Sequence, residues 1–331
     1  ADDQEVVEEL RRVLAGAVRA RLRTRGPATV LMSGGLDSTS VAALAALEGG
    51  NAGPLRTISW VFDELSGSDE RDFIAPMVER YGLDATFIHG DEEWPLRRLE
   101  DWRSQAGSPV QDLYRSLVER SWREAARGGG RVLLTGHYGD NLYAGWLGWL
   151  RDMIAAGRLA EAWHGVVAEL DDPGIIPSER WRWLARAVRQ TLRRRRRGAH
   201  RPAPWLTPAA AELVGRAEPS LPPHLDPAAG RGLLDPRSAR GISQRRGAAL
   251  RAGIDVRLPY RDRRVVELAL AMPAHLRYRN GWVKWVTREA MRGVLPEAVR
   301  LRWRQTSLAP LCRRGLVERR TQTLTAVFGT D

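Results

Sequence analysis

The sequence predicts an α/β fold in which helices cover both faces of a parallel sheet, followed by a part that is mostly helical. Short apolar runs alternate with segments whose apolar residues recur at helical spacing. Such alternation is typical of strands joined by helical crossovers, which makes the strands parallel. The predicted strands are 28–32, 56–62, 85–89 and 131–135, and the predicted helices between them are 38–47, 69–81 and 113–126.

A further helix, residues 5–23, is predicted ahead of the sheet. Its apolar residues fall on one face because they are three or four positions apart. A helix with one apolar face has to bury it, so we expect this helix to pack on the layers that cover the sheet. The residues of that face are Val6, Leu10, Val13, Leu14, Ala17, Val18 and Leu22.

The character of the chain changes near residue 150. Residues 200–236 are rich in proline, alanine and glycine, which predicts a loop or linker. We therefore divide the chain into an α/β core, residues 1–150, and a mainly helical region, residues 151–331, which together form one continuous domain. The helices predicted in the second region are 150–170, 180–197, 241–252, 263–271 and 282–292.

Composition restricts the function classes. A hydrophobic content of 43% is ordinary for a globular protein, and no apolar stretch has the length of a membrane span. Cys312 is the only cysteine, so no internal disulfide can form, and a cytoplasmic location is expected. The 52 Lys and Arg residues exceed the 40 Asp and Glu residues, and Lys284 is the only lysine. The net charge of +12 favours anionic partners.

The most informative motif follows the first predicted strand. A Ser-Gly-Gly turn lets the backbone approach an anion closely, since glycine has no Cβ. The next helix then begins, and its first amides have no partner within the helix. Asp37 would repel a phosphate unless Mg²⁺ lay between them. The run predicts a pyrophosphate cradle, with a plain turn as the alternative; its residues are Ser33, Gly34, Gly35, Leu36, Asp37, Ser38 and Thr39, of which the Ser and Thr hydroxyls can donate to phosphate.

This motif resembles the PP-loop of the ATP pyrophosphatase superfamily, whose members split ATP into AMP and pyrophosphate. The Gly-Lys-Ser/Thr signature of the Walker loop is missing from it. The resemblance implies ATP and Mg²⁺ as cofactors and a Rossmann-like sheet of the adenine nucleotide α-hydrolase type.

A second glycine-rich turn follows the strand predicted at 131–135. Gly136 and Gly139 permit a tight turn, and Asp140 follows them. Ligands bind at the carboxyl ends of parallel strands, so Asp140 is expected to face the same crevice as Asp37. The two carboxylates form a plausible Mg²⁺ pair. In the alternative interpretation Asp140 only caps the helix that follows.

Two later segments complete a pattern. Residues 253–273 contain Arg-Leu-Pro-Tyr-Arg-Asp, and residues 281–296 contain Lys-Trp-Val-Thr-Arg. In order, the four blocks resemble the C-terminal synthetase domain of asparagine synthetases, and of the related β-lactam synthetases and lasso-peptide macrolactam synthetases. The resemblance extends from about residue 5 to about residue 310 and is weakest between residues 158 and 234.

The resemblance implies a role for each matching residue. The first turn would hold pyrophosphate, Asp37 and Asp140 would bind Mg²⁺, and main-chain groups near Leu31 and Ser59 would hold adenine. Lys284 would reach the α-phosphate and the oxyanion, a role suited to a compact cation on a flexible stem. The candidate catalytic residues are Lys284, His137 and Asp140, and Gly136 joins the nucleotide-binding set.

The sequence also departs from the family pattern. His137 stands where asparagine synthetases have Glu and β-lactam synthetases have a Tyr; it either assists deprotonation of the attacking amine or shapes the turn. Asn141 replaces a family Glu, so no third carboxylate is expected. The late Lys-Thr-Gly motif reads Arg-Gln-Thr-Ser, which suggests that a phosphate contact has moved to Arg302 or Arg304.

These observations favour an ATP-dependent, AMP-forming carbon–nitrogen ligase that adenylates a carboxylate and then forms an amide. No glutaminase segment with a catalytic N-terminal Cys is found, so the amine is expected either on the substrate or from a separate glutaminase-like domain. We favour a peptide macrolactam synthetase of natural-product biosynthesis, acting on a substrate with a carboxylate and an amine, with a substrate-delivering protein as a further partner. The alternatives are an asparagine synthetase-type domain and a PP-loop RNA-modifying enzyme. The five arginines of residues 193–197 favour RNA, and the missing cysteine pairs argue against it.

Overall fold

The fold is seen in a computed structural model that describes residues 2–49, 53–97, 113–143, 157–170, 207–210, 212, 236–279, 282–303 and 306–328. Within these ranges no helix is both long and apolar enough to cross a membrane. The helix predicted at 180–197 and the arginine run within it lie outside the described residues, as does Arg304.

A parallel sheet forms the centre of the fold, as predicted; it has five strands in the order β3-β2-β1-β4-β5. The chain builds outward from β1 to β3, then returns to the other side of β1 with β4. The position between β1 and β4 is therefore a topological switch point, where loops separate and leave a crevice for ligands. The strands are β1 (Ala28–Leu31), β2 (Arg56–Val61), β3 (Asp84–His89), β4 (Val132–Thr135) and β5 (Asp255–Arg257).

Helices cover both faces of the sheet. Crossovers are right-handed, and the strand order reverses after β3. The crossover helices before β3 and the crossover helix between β3 and β4 therefore lie on opposite faces of the sheet. The helix after β1 packs on β1 and β4 and is itself covered by the first helix, whereas the helix before β4 packs on β2, β3 and β4. The helices of this part are α1 (Asp3–Arg21), α2 (Leu36–Glu48), α3 (Arg71–Tyr81), α4 (Arg115–Arg127) and α5 (Gly139–Tyr143).

The later part of the described chain is mostly helical, as predicted. Two very short strands, β6 (Tyr278–Arg279) and β7 (Trp282–Val283), pair as an antiparallel hairpin within it. The helices are α6 (Leu159–Leu170), α7 (Pro236–Arg251), α8 (Arg263–Ala271), α9 (Ala274–Arg277), α10 (Trp285–Ala290), α11 (Glu297–Arg300), α12 (Ala309–Arg313) and α13 (Arg320–Phe328).

The hydrophobic core explains why distant parts of the sequence share one layer. Six of the seven residues predicted for the apolar face of α1 are buried, including Leu10 and Leu14, whereas Leu22 is half-buried and lies just after the helix. On the α4 face of the sheet, Trp122 packs with strand residues and with Val256 and Leu311, which come from much later in the chain. The sheet is thus completed by the C-terminal half.

The chain separates into two compact units. The first contains residues 1–139, 239–266 and 287–331, and the second contains residues 140–238 and 267–286. The C-terminal segments that resembled family motifs therefore belong partly to the sheet-containing unit. The division at residue 150 stays a prediction about the chain's organisation.

Two local predictions differ from the structure. β5 was not predicted, because its three residues are too few to show a strand period. Lys284 was expected on a helix spanning 282–292, but Trp282 and Val283 are extended and α10 begins only at Trp285. Tryptophan and valine favour strands, and here they pair with β6. Lys284 therefore lies at the junction, with a φ of 58°.

The Arg-Leu-Pro-Tyr-Arg-Asp block anchors α1 to the sheet. Arg257 donates to the carbonyl oxygens of Arg21 and Arg23 at 2.7 and 2.8 Å. Asp262 accepts from Arg21 at 2.8 Å and also from the backbone amide of Arg264 at the start of α8. Hydrogen bonds from the Arg264 and Arg21 side chains hold the pKa of Asp262 well below its ordinary value. This block is accordingly a structural anchor.

Candidate active site

The Ser-Gly-Gly turn lies at the carboxyl end of β1, where the sequence predicts it. The Ser38 hydroxyl accepts from the Ser33 amide at 3.1 Å and donates to carbonyl oxygens of the turn. The Ser33 hydroxyl accepts from the Gly35 amide at 3.2 Å. These bonds fix the turn before any ligand binds. The Thr39 hydroxyl donates to the Gly35 carbonyl at 2.9 Å and is fully buried, so it braces α2 rather than facing a ligand as expected.

The two predicted turns meet. A Cβ placed on Gly136 would lie 2.5 Å from the Ser38 backbone nitrogen, closer than real Cβ atoms approach. A Cβ on Gly139 would lie 2.2 to 2.6 Å from the carboxyl atoms of Asp37. Only glycine fits at either position, because the second turn is pressed against the first. The structure therefore brings Asp37, Ser38, Gly136 and Gly139 together, as the sheet register of β1 and β4 requires.

Lys284 and Asp140 form an ion pair within the second unit, with 2.5 Å between Nζ and Oδ1. The lysine side chain is 6% exposed and the aspartate side chain 63% exposed. A left-handed φ is costly for a residue with a Cβ and is retained chiefly where surrounding structure enforces it, often at functional sites. The sequence did not predict this direct pair, because Lys284 was assigned to phosphate and Asp140 to a metal ion.

The two residues predicted to hold adenine lie on β1 and on its neighbour β2. Leu31 ends β1, and its register partner on β2 is Ile58, the residue before Ser59. The Ser59 side chain is fully buried, and its hydroxyl makes no hydrogen bond. A buried hydroxyl without a partner is costly, and the Ser59 hydroxyl is such a group on β2, next to the carboxyl end of β1.

His137 lies on the second turn and its Nε2 is in hydrogen-bonding contact with Arg245 of α7. The next residue, Tyr138, has a φ of 81° and carries the Arg261 guanidinium over its ring at 4.7 Å. A guanidinium can only donate, so Nε2 of His137 accepts in this contact. As a base, His137 would have to leave Arg245 or use Nδ1, which favours the turn-shaping role.

Three side chains next to Gly34 of the first turn, Glu70, Phe73 and Arg302, were predicted only in part. Glu70 accepts from the Gly34 amide at 3.1 Å and pairs with Arg302, whose Nη1 lies 2.7 Å from Oε1. The Arg302 guanidinium stacks on Phe73 at 4.1 Å. The sequence suggested Arg302 as a phosphate contact but gave no signal for Glu70 or Phe73, which start α3 and lie more than thirty residues from the turn.

Arg288, the arginine of the Lys-Trp-Val-Thr-Arg block, supports this set from α10. It donates to the Arg300 and Arg302 carbonyl oxygens, the second at 3.0 Å. Burial, together with the positive charge of Arg300, lowers the pKa of Arg288 to about 10, so it stays protonated at neutral pH. Its role within the described contacts is to hold the segment that carries Arg302.

A magnesium ion fits the chemistry of these residues but would need other ligands. Among the described side chains, no group of three or more His, Cys, Asp or Glu residues is placed to hold a metal. Gly139 leaves room at the Asp37 carboxyl group, and Asp140 is the next residue along the chain. Carboxylate oxygens are ligands that Mg²⁺ ordinarily takes in proteins, so Asp37 would be one of the residues that hold the ion.

A parallel sheet with two glycine-containing turns that meet at its switch point defines an α/β protein whose ligand site is expected at the carboxyl ends of the strands. The family model for asparagine synthase matches residues 9–326, almost the whole chain. The chain therefore belongs to the asparagine synthase family, as the sequence motifs predicted. This membership supports an ATP-dependent, amide-forming ligase domain.

Curated relatives are partial matches. Amidase chyE of Penicillium rubens is 30% identical over 167 residues, which is 46% of this chain and 24% of that protein. Amidase chry2 of Gibberella zeae is 29% identical over 182 residues, 51% of this chain and 26% of that protein. The chain spans about a quarter of the length of these relatives.

One solved structure is a weak match. It is the U34-tRNA thiolase NcsA from Methanococcus maripaludis with its 4Fe–4S cluster, at 15% identity and a TM-score of 0.31. The match covers 76% of this chain and 80% of that one. A likeness at this level carries no inference about the ligands or reaction of this chain.

Proposed function

We propose that this chain adenylates a carboxylate with ATP, releasing pyrophosphate, and then joins the acyl group to an amine, releasing AMP. The observation that carries the proposal is the close contact of the two glycine turns at the switch point, where Gly136 touches Ser38 and Gly139 touches Asp37. Family membership supports the ligase class, and the amidase names of the curated relatives denote chemistry at an amide bond.

The first turn is proposed to bind the β- and γ-phosphates. Its amides and the start of α2 supply hydrogen-bond donors and the positive end of a helix dipole. Leu31 and Ser59 would hold adenine through main-chain groups; the Ser59 side chain itself is fully buried. Arg302 would supply positive charge behind Gly34, in place of the family's late lysine.

Lys284 is proposed to stabilise charge in the transition states. An ammonium group can neutralise charge that develops on the α-phosphate oxygens during adenylation and on the carbonyl oxygen during amide formation. Its ion pair with Asp140 is compatible with this role, because a released aspartate could turn to Mg²⁺ and leave the lysine for the substrate. Mg²⁺, held by Asp37, Asp140 and phosphate oxygens, would neutralise the triphosphate.

The reaction class is tested by ATP–pyrophosphate exchange. We expect the wild-type chain, given a suitable carboxylate, to return labelled pyrophosphate to ATP, and Lys284→Met to lose at least about a hundredfold in rate, the size typical for one removed transition-state donor. Lys284→Arg is a matched variant that keeps the charge and should retain part of the activity. Equal exchange by the wild type and Lys284→Met would contradict the proposed role of Lys284.

We favour a peptide macrolactam as the product, because the sequence motifs also resemble those of lasso-peptide macrolactam synthetases. The substrate would be a peptide carrying both the carboxylate and the amine. Incubation with ATP and a candidate peptide should give a product lighter by one water. Formation of asparagine from aspartate and ammonia would instead favour the asparagine synthetase-type alternative.

A further inference from the structure

One carboxylate engages two groups that are suited to phosphate. Glu70 Oε2 accepts from the Gly34 amide at 3.1 Å, and Oε1 lies 2.7 Å from Nη1 of Arg302. A backbone amide in a glycine turn and a guanidinium are the donors that proteins use for phosphate oxygens. The Glu70 side chain is 16% exposed and the Arg302 side chain is 7% exposed, so the ion pair is largely withdrawn from water.

Arg302 does not depend on Glu70 for its position. Its guanidinium stacks on the Phe73 ring at 4.1 Å, and its Nη2 donates to the Thr306 hydroxyl. Arg288 donates to its backbone carbonyl at 3.0 Å. Because these contacts already place the guanidinium, the main contribution of Glu70 is negative charge.

Gly34 keeps the amide and the guanidinium within reach of a single anion. A Cβ on this residue would lie 2.7 Å from Cβ of Phe73 and 2.9 Å from Nη1 of Arg302. Any other residue would therefore push the turn away from the arginine. A phosphate oxygen at the Gly34 amide would meet the same cation that Glu70 meets now.

We propose that Glu70 is an internal stand-in for phosphate, which neutralises Arg302 and occupies the Gly34 amide until the phosphates of the nucleotide displace it. This inference rests on the proposed function and concerns the same turn. A buried arginine without a counter-ion is costly, so Glu70 stabilises the nucleotide-free turn. The same carboxylate competes with bound pyrophosphate and thereby favours release of that product.

Substitution Glu70→Gln tests the competition, because glutamine has the same size but no charge. We expect magnesium pyrophosphate, titrated by calorimetry, to bind the variant about tenfold more tightly, which corresponds to ~1.4 kcal/mol. Pyrophosphate should inhibit the variant's exchange reaction at correspondingly lower concentration. A variant that is merely damaged would bind more weakly, so the direction of the change separates the two explanations.

Glu124→Gln is the matched control, since Glu124 pairs with Arg127 on α4 and contacts neither Gly34 nor Arg302 in the described structure. It should bind pyrophosphate as the wild type does. If Glu70→Gln does not fold, Glu70→Ala replaces it, because it also removes the carboxylate and should likewise tighten binding. Binding that is unchanged or weaker in the folded variant, with normal binding by the wild type, would overturn the role of Glu70. Failure of the wild type to bind pyrophosphate or ATP would overturn the proposed function instead.

Discussion

At the scale of single residues, the site is defined by positions where no side chain fits. Gly34, Gly136 and Gly139 each adjoin a neighbour that would clash with a Cβ, and two of those neighbours are backbone or carboxylate atoms of the first turn. The functional interpretation of the glycines came directly from the sequence, since strand-then-glycine motifs have a recognised chemistry. The contact between the two turns could not be predicted without the strand order, which places β1 beside β4.

Gly136→Ala should separate the two turns. Its Cβ would meet the Ser38 backbone nitrogen at 2.5 Å, and backbone cannot move aside as a flexible side chain can. We expect a loss of about 1–3 kcal/mol in stability and at least tenfold weaker ATP binding, measured by urea unfolding and calorimetry. Gly241→Ala is the control: nothing lies within 4 Å of its added Cβ, so α7 should gain up to about 1 kcal/mol. Unchanged ATP affinity in Gly136→Ala would contradict the assigned contact.

Other residues of the site could not be predicted because their roles depend on partners far along the chain. Glu70 and Arg302 are separated by more than two hundred residues, and no spacing rule relates them. His137 could be singled out as a departure from the family pattern, but its neighbour Arg245 is supplied by another helix. Thr39 was predicted as a phosphate donor because its type fits, although its hydroxyl turns back to its own helix.

At the scale of elements, periodicity predicted the long pieces well and failed for the short ones. The bounds of β1 to β4 agree with prediction to within one residue, because each strand is a short run containing β-branched or other apolar residues. β5 and the β6–β7 hairpin have two or three residues each, too few for a period to be visible. The hairpin explains why Lys284 lies before α10 and not within a helix.

Asp262 joins α1 to the start of α8, and its ionisation should be visible in the free energy of unfolding. Its pKa is depressed by Arg264 and Arg21, so the carboxylate stabilises the fold at pH values above the ordinary Asp pKa of about 4 and loses this effect as pH falls below it. We expect Asp262→Asn to cost about 1–3 kcal/mol in urea unfolding at pH 7 and progressively less below about pH 4.

Asp84→Asn is the control for that measurement. Asp84 is 60% exposed and lies 3.5 Å from Arg56, so its loss should change stability by less than about 1 kcal/mol. A cost of Asp262→Asn that persists unchanged at acid pH would mean that packing, and not the charge of Asp262, holds α1 to the block.

At the scale of the whole molecule, the sheet-containing unit is discontinuous in sequence. Residues 239–266 supply β5, and residues 287–331 supply Arg288, Arg302 and part of the core. The sequence alone suggested a boundary near residue 150, because the character of the chain changes there, although the two regions were expected to form one continuous domain. Composition does not reveal that the chain returns to the sheet.

A fragment of residues 1–150 should therefore fail to form a stable nucleotide-binding domain. It retains the first and second turns but lacks Ile254, Val256 and Leu311, which pack with Trp122 and Leu117 on one face of the sheet. Removing three buried aliphatic residues exposes the apolar side chains they cover, and each such residue contributes about 1.5–3 kcal/mol. That sum is comparable with the whole stability of an ordinary domain.

We expect the fragment to show no cooperative thermal transition and to bind no ATP by calorimetry, whereas the full chain does both. Adding residues 239–331 as a separate polypeptide should restore both properties in part, because the missing strand and core residues return without the intervening segment. A fragment of residues 1–150 that melts cooperatively and binds ATP would show that the core closes without β5. In that case Arg302 could not be a required phosphate contact, since the fragment lacks it.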